Sequence, residues 1–301
     1  MSTAASAAEW RRRRERGSLP LIRFIVWASL RFGRTASRVL LRGIVAYFLA
    51  SGGTARRASR AFLERSLGRA PTLAEQYRLL FSFAACLHDR IYFLKGRFEL
   101  FDIGIHGAEL IGADSALLMG AHLGSFEALR ACGRHLAERR VVMAMHEENA
   151  RQTNSVLVAI DPSAMQDVVT LGRPQSMIDL ARRIEEGAVV GMLADRTLGD
   201  EPMAMVDFLG EPAPFPTGPM RVAAALRSRV VFMAGLYRGG NRYEIRLEPL
   251  ADFSALEGLS RDERQRRVQE AVLAYARRVE HYAREAPDNW FNFHDFWGRA
   301  P

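Results

Sequence analysis

Within Gly120-Ala121-His122-Leu123-Gly124-Ser125-Phe126-Glu127 a histidine and a carboxylate stand with four residues between them, where an apolar run gives way to a helical pattern. Imidazole titrates nearest neutrality of all side chains, so it can take a proton from a hydroxyl at physiological pH. A carboxylate on a helix's first turn can reach back to such a ring, fix its tautomer and support it as a general base. A nearby helix N-terminus disfavours imidazolium and Glu127 favours it, which together describe a base poised near neutrality. The same spacing also fits a core histidine beside an ordinary helical glutamate, so the surrounding elements have to decide.

Those elements alternate. Short apolar runs at Phe101 to His106, Ser115 to Ala121, Val141 to His146, Asp167 to Leu171, Ala188 to Ala194, Val230 to Leu236 and Arg242 to Leu250 read as strands. Helix-length patterns lie between most of them, at Ser125 to Arg139, Asn149 to Ile160, Pro174 to Glu186 and Gly218 to Arg227, with a last helix at Ser260 to Arg284. This order predicts an α/β fold: a mostly parallel central sheet of about seven strands flanked by helices, with an N-terminal amphipathic helical segment. Continuous apolar runs such as Ala116-Leu117-Leu118-Met119 suit strands buried on both faces. In open parallel sheets ligands bind beyond the carboxyl ends of the strands, and His122 is expected at one such end.

Before the sheet come two further helices, Ala55 to Leu67 and Thr72 to Leu94, the second opening with a Thr72/Glu75 capping box. The chain thus divides into a basic tail (1–18), a helical segment (19–100) and an α/β domain (101–301). With 301 residues and 49% hydrophobic content it can bury a full core. Cys86 and Cys132 have no ligand-like spacing, so no metal site or disulfide framework is expected and the compartment reads as reducing.

The net charge of +8 is concentrated early. Trp10-Arg11-Arg12-Arg13-Arg14-Glu15-Arg16 precedes an apolar stretch, Leu19 to Ala50, punctuated by Arg23, Arg31, Arg34, Arg38 and Arg42. At roughly 100° per residue these arginines share one sector of a helix, leaving Leu21, Ile22, Phe24, Ile25, Trp27, Val39, Leu40, Ile44 and Tyr47 largely outside it. The longest charge-free run, Gly43 to Ala55, is shorter than the about 18 apolar residues a membrane span needs. The pattern fits an interfacial helix with arginines at anionic headgroups, against the simpler alternative of a helical hairpin packed on the core. Arginines set in apolar helices, without a polar stripe of stacking aromatics, argue against nucleic acid.

Several chemistries are excluded by pattern. Ser125 lies between Gly124 and Phe126 and so lacks a Gly-x-Ser-x-Gly elbow, His146-Glu147 has no second histidine to complete a zinc motif, and no nucleotide-binding loop is present. Pro216-Thr217-Gly218-Pro219 could expose amides at Thr217 and Gly218 to a phosphate or pantetheine arm, with Arg221 one turn on. It reads equally as a plain helix start with proline in its first turn. The aromatic segment Asn289 to Trp297 reads as a packed C-terminal tail, with a lid or membrane-facing edge as the alternative.

Taken together, Gly-Ala-His-Leu-Gly-Ser-Phe-Glu from Gly120, Leu-Ala-Asp-Arg from Leu193 and the Val206 to Pro219 segment resemble the bacterial lipid A biosynthesis acyltransferase (lauroyl/myristoyl) family of the lysophospholipid acyltransferase superfamily. The resemblance covers about Phe24 to Trp297. It implies a His-x-x-x-x-Glu dyad at His122 and Glu127, in which His122 takes the proton of an acceptor hydroxyl as it attacks an acyl thioester and Glu127 steadies the imidazolium. No cofactor is implied; the thioester is a substrate, with acyl carrier protein favoured over coenzyme A. Asp195, Asn149, His146, Arg151, Arg196, Thr217 and Gly218 become substrate-binding candidates. His146 stands where many relatives carry an arginine, for which Arg151 is a substitute, and Asp195-Arg196 stands where many carry Asp-Gln. Both departures point to a hydroxylated or glycosylated lipid acceptor other than lipid A. The expected location is peripheral, on the cytoplasmic face of the bacterial inner membrane. The rival reading is a non-catalytic lipid-binding or scaffold protein at that surface.

Overall fold

A computed structural model describes residues 19–111, 116–128, 140–146, 160, 167–172, 174–196 and 201–298. Three helices come first: α1 (Leu19–Ser51), α2 (Gly53–Leu67) and α3 (Leu73–Leu94). Thr72 and Glu75 form the reciprocal cap expected at the start of α3. Next are β1 (Asp102–His106), β2 (Ala116–Gly124), β3 (Val141–His146), β4 (Val168–Leu171), α4 (Pro174–Glu185) and β5 (Val189–Leu193). The chain continues through β6 (Met203–Phe208), β7 (Glu211–Pro216), α5 (Gly218–Ala225), β8 (Arg229–Tyr237), β9 (Arg242–Asp252) and α6 (Arg261–Glu285).

Among the described residues seven strands form one sheet in the order β1-β9-β8-β2-β5-β3-β4. Only β8 and β9, joined by a tight Gly239-Gly240 connection, pair antiparallel there, so the sheet is mostly parallel as its sequence predicts. The apolar runs of β2, β5 and β8 occupy its centre, and Leu117, Val190 and Phe232 are completely buried. Helix α6 packs on β2, β8 and β9, and the Tyr275 hydroxyl donates to the Gly120 carbonyl at 2.7 Å. A hairpin, β6–β7, lies outside the main sheet and places Phe208 and Phe215 in the core.

Helix α1 departs from its sequence reading in the direction it faces. Its arginine side, expected outward, is partly turned in: Arg34 Nε lies 2.8 Å and Arg38 Nη2 2.5 Å from the carboxylate of Asp89 on α3, which is fully buried. Tyr243 adds a 2.7 Å hydrogen bond to Asp89, and Arg38 Nη1 donates to Tyr237 at 3.0 Å. The apolar side looks outward instead, with Phe24, Trp27, Phe32, Val39, Leu40 and Tyr47 all more than half exposed. Arg23, Arg31 and Arg42 flank them at the surface, and Gly33, at φ 81°, kinks the helix midway. Among the described residues no helix is long and apolar enough to cross a membrane.

Candidate active site

The register of the sheet brings His122 and Asp195 together. Gly120 on β2 pairs with Leu193 on β5 in a parallel ladder, so the residues two positions further on emerge side by side at the carboxyl edge. The β2–β8 register shifts between Gly120 and Gly124, and Gly124 then turns the chain at φ 66°. A Cβ on Gly124 would lie 1.9 Å from the Gly235 carbonyl oxygen, so only glycine fits this close approach of β2 to β8. Ser125 follows, its hydroxyl accepting the Ala128 amide at 3.2 Å to cap the helix that starts at Phe126.

Asp195, 1% exposed, is bound through both oxygens. Its Oδ1 lies 2.8 Å from His122 Nδ1, while Oδ2 accepts the His122 backbone N–H and the Trp290 indole N–H, each at 3.1 Å. The bond to Asp195 assigns the proton to Nδ1, which leaves the lone pair on Nε2. Burial works against charge on Asp195, but the hydrogen bonds and charge of His122 and the Arg196 cation outweigh it and hold the pKa well below the ordinary carboxylate range. Burial, and then the Arg196 charge, lower His122 below its usual 6.5, with Asp195 opposing them. The ring is therefore neutral near pH 7, and with 30% of its side chain exposed it faces the solvent side of the strand edge.

The carboxylate at Nδ1 is thus Asp195, where the spacing of the helical motif points to Glu127. Glu127 is itself buried, and its Oε1 lies 2.7 Å from Arg90 Nη2 on α3. It ties the start of the helix after β2 to the N-terminal helical layer.

The amides around Gly124 are also committed. Gly124 N–H donates to the Asn289 carbonyl at 2.9 Å and Ser125 N–H to that of Gly235 at 2.7 Å, so neither is free to meet a ligand. Arg196 follows Asp195 and its charge acts on His122. One of its terminal nitrogens donates to the Phe291 carbonyl, and its buried Nε has no hydrogen-bond partner among the described residues. His294 belongs to the same electrostatic cluster: burial, Arg196 and His122 push it down to about 3 against the pull of Asp195.

Of the remaining sequence candidates, His146 ends β3, and Asn149 and Arg151 lie outside the described residues. Thr217 stands at the N-terminal end of α5 without a side-chain cap bond, Pro219 follows in the first turn, and both the N–H and the hydroxyl of Thr217 donate to the Pro202 carbonyl at 3.0 Å. Among the described residues no hydrogen bond joins this turn to His122, Asp195 or Arg196. The C-terminal tail is the contributor that sequence reasoning passed over. Trp290 pairs with Leu123 in an antiparallel bridge, and Phe291 N–H donates to the His122 carbonyl at 2.8 Å. The tail therefore packs, as expected, but it packs onto the strand end that carries the histidine.

A family model described as bacterial lipid A biosynthesis acyltransferase matches residues 94–299. The crystal structure of PlsC, the 1-acyl-sn-glycerophosphate acyltransferase of Thermotoga maritima, aligns over 81% of this chain and 97% of its own at 14% identity, with a TM-score of 0.39. A search of curated proteins gave no match.

Proposed function

This chain belongs to the bacterial lipid A biosynthesis acyltransferase family, and from that premise we propose that it moves a fatty acyl chain from a thioester to a hydroxyl of a membrane lipid or glycolipid, with His122 as general base and Asp195 as its orienting partner. The 2.8 Å bond from His122 Nδ1 to Asp195 carries the reading, because it directs the basic Nε2 away from the carboxylate and toward an incoming substrate. His122 Nε2 takes the hydroxyl proton as the acceptor oxygen attacks the thioester carbon. The tetrahedral oxyanion collapses, the C–S bond breaks, and the imidazolium returns the proton to the leaving thiolate. Asp195 keeps the charge of the imidazolium compensated throughout.

Arg196 serves the oxyanion in this reading. Its charge beside the histidine supports that role, while the Gly124 and Ser125 amides are occupied. One such donor contributes about 10²-fold to 10³-fold in rate. Glu127, the second member of the sequence dyad, acts through its contact with Arg90 by holding the helix after His122.

Acyl carrier protein is the favoured donor, since an acidic carrier suits a chain of net charge +8. The acceptor is a lipid at a membrane surface, reached from a peripheral position on the cytoplasmic face of the inner membrane. The outward apolar face of α1, flanked by arginines, supports that position. Purified protein and His122→Ala, incubated with extracted lipids and labelled acyl chains on either acyl carrier protein or coenzyme A, test the whole reading. Label is expected in lipid with the wild type and at least about 10³-fold more slowly with the variant. Equal transfer by both would remove His122 from the chemistry, and no transfer by either would favour a scaffold.

A further inference from the structure

We propose that Trp290 is a positioning residue for the His122–Asp195 pair, so that a side chain from the C-terminal segment completes the catalytic site. The inference rests on the reading of His122 as the base. Asp195 needs two things to serve that base: it has to stay ionised, and its Oδ1 has to stay in the plane of the imidazole. Oδ2 is held by two donors, the His122 backbone N–H and the indole N–H of Trp290, each at 3.1 Å. The first also anchors the strand. The second alone comes from a side chain, and it reaches Oδ2 from an element far away in the chain.

The surroundings of Trp290 make this donor rigid. The side chain is fully buried, with Phe62, Phe208 and Phe296 rings at 4.8, 5.2 and 5.0 Å between centroids. Its backbone is joined to β2 on both sides, by the Gly124 N–H to Asn289 carbonyl bond at 2.9 Å and the Phe291 N–H to His122 carbonyl bond at 2.8 Å. Asn289 in turn fastens the segment to β8, accepting the Tyr237 N–H at 2.7 Å and donating to the Tyr237 carbonyl at 3.1 Å. A tryptophan that only filled the core would satisfy its N–H on any nearby carbonyl. Here it meets the carboxylate that is bonded to His122, in a site so enclosed that water has little room to replace it.

The sign of its effect follows from charge. An N–H on Oδ2 spreads the carboxylate's charge away from Oδ1; without it Oδ1 becomes a stronger acceptor, imidazolium is favoured, and the carboxylate gains freedom to rotate. Trp290→Phe removes the donor and keeps an aromatic ring. Phe296→Leu thins the same aromatic cluster and leaves the hydrogen bond in place. Both can be compared with the wild type in the full chain labelled with ¹⁵N-histidine, the His122 signals being assigned by their absence in His122→Gln.

In Trp290→Phe the His122 titration midpoint should rise by roughly 0.5–1 pH unit, the size expected for one hydrogen bond to a charged group. The acid limb of kcat/KM should move with it, and kcat should fall about 3-fold to 10-fold with KM little changed. Phe296→Leu should lower the melting temperature without moving the midpoint. A midpoint unmoved in Trp290→Phe, or moved equally by Phe296→Leu, would overturn the proposal. Because the titration needs no turnover, it decides the role of Trp290 even if transfer by wild type and His122→Ala sinks the catalytic reading.

Discussion

Two carboxylates lie within reach of the strand end that carries His122, and their environments give them different work. Asp195 is bonded to the ring and sits among donors; Glu127 faces the Arg90 cation. Asp195→Asn replaces an acceptor of the Nδ1 proton with an amide that can present N–H, favouring the wrong tautomer, and should cost about 10³-fold to 10⁴-fold in kcat with the fold intact. Glu127→Gln leaves the Arg90 guanidinium facing a neutral amide in a buried place, so its mark should be a melting temperature lowered by several degrees, with the acid limb of the rate profile kept in place. Equal effects of the two changes on that limb would return Glu127 to the histidine. The pH dependence itself carries a sign. His122 is lowered below 6.5 and, as the proposed base, acts when neutral, so kcat/KM should hold its plateau below pH 6.5 and fall only as the ring gains its proton. Arg196→Met removes a cation that lowers His122, and should shift that acid limb to higher pH while slowing the reaction through loss of the proposed oxyanion donor.

At the scale of elements, a local pattern was enough wherever one residue type recurred at one period. The buried strands β2, β3 and β5 stand out in the sequence as apolar runs, and the parallel order follows from helices placed between them. The β6–β7 hairpin is hidden because Pro212, Pro214 and Pro216 argue against a strand. All three fall on alternate positions, opposite Asp207, Met205 and Met203, so that Ala213 and Phe215 between them keep N–H groups for the ladder. The pairing of His122 with Asp195 was equally hidden, since it arises from the register of two strands separated by about seventy residues of chain. Periodicity marked α1 as two-faced, but the choice of inner face lay with Asp89 on another helix. Asp89→Asn tests that choice: it leaves Arg34 and Arg38 beside a neutral amide in a buried place, and should lower the stability to denaturant by about 3–5 kcal/mol. Proteolysis should then cut first between residues 19 and 51, where the lost clamp holds α1 to α3. A variant as stable as the wild type would mean that packing alone sets the helix's orientation.

Over the whole molecule, clamping α1 by its arginine side has a consequence for what the protein can touch. The ion cluster at Asp89 keeps the polar face against the protein and thereby presents Phe24, Trp27, Phe32, Leu40 and Tyr47 to the surroundings, with Arg23, Arg31 and Arg42 beside them. Such a face is costly in water and suits a bilayer whose headgroups are anionic, each nearby arginine adding about 1 kcal/mol of attraction. The same placement would bring the lipid acceptor within reach while the acyl donor arrives from solution. Replacing Arg23, Arg31 and Arg42 with Gln should therefore weaken binding to vesicles with anionic lipid by roughly 100-fold and leave binding to neutral vesicles nearly unchanged. Phe32→Ser with Leu40→Ser should weaken both, because the apolar contribution does not depend on headgroup charge. Transfer to an acceptor embedded in vesicles should fall in step with binding, whereas transfer to the same acceptor dispersed in detergent should not. Equal losses in the two formats would place the exposed face of α1 in the site's own architecture and take the membrane out of its explanation.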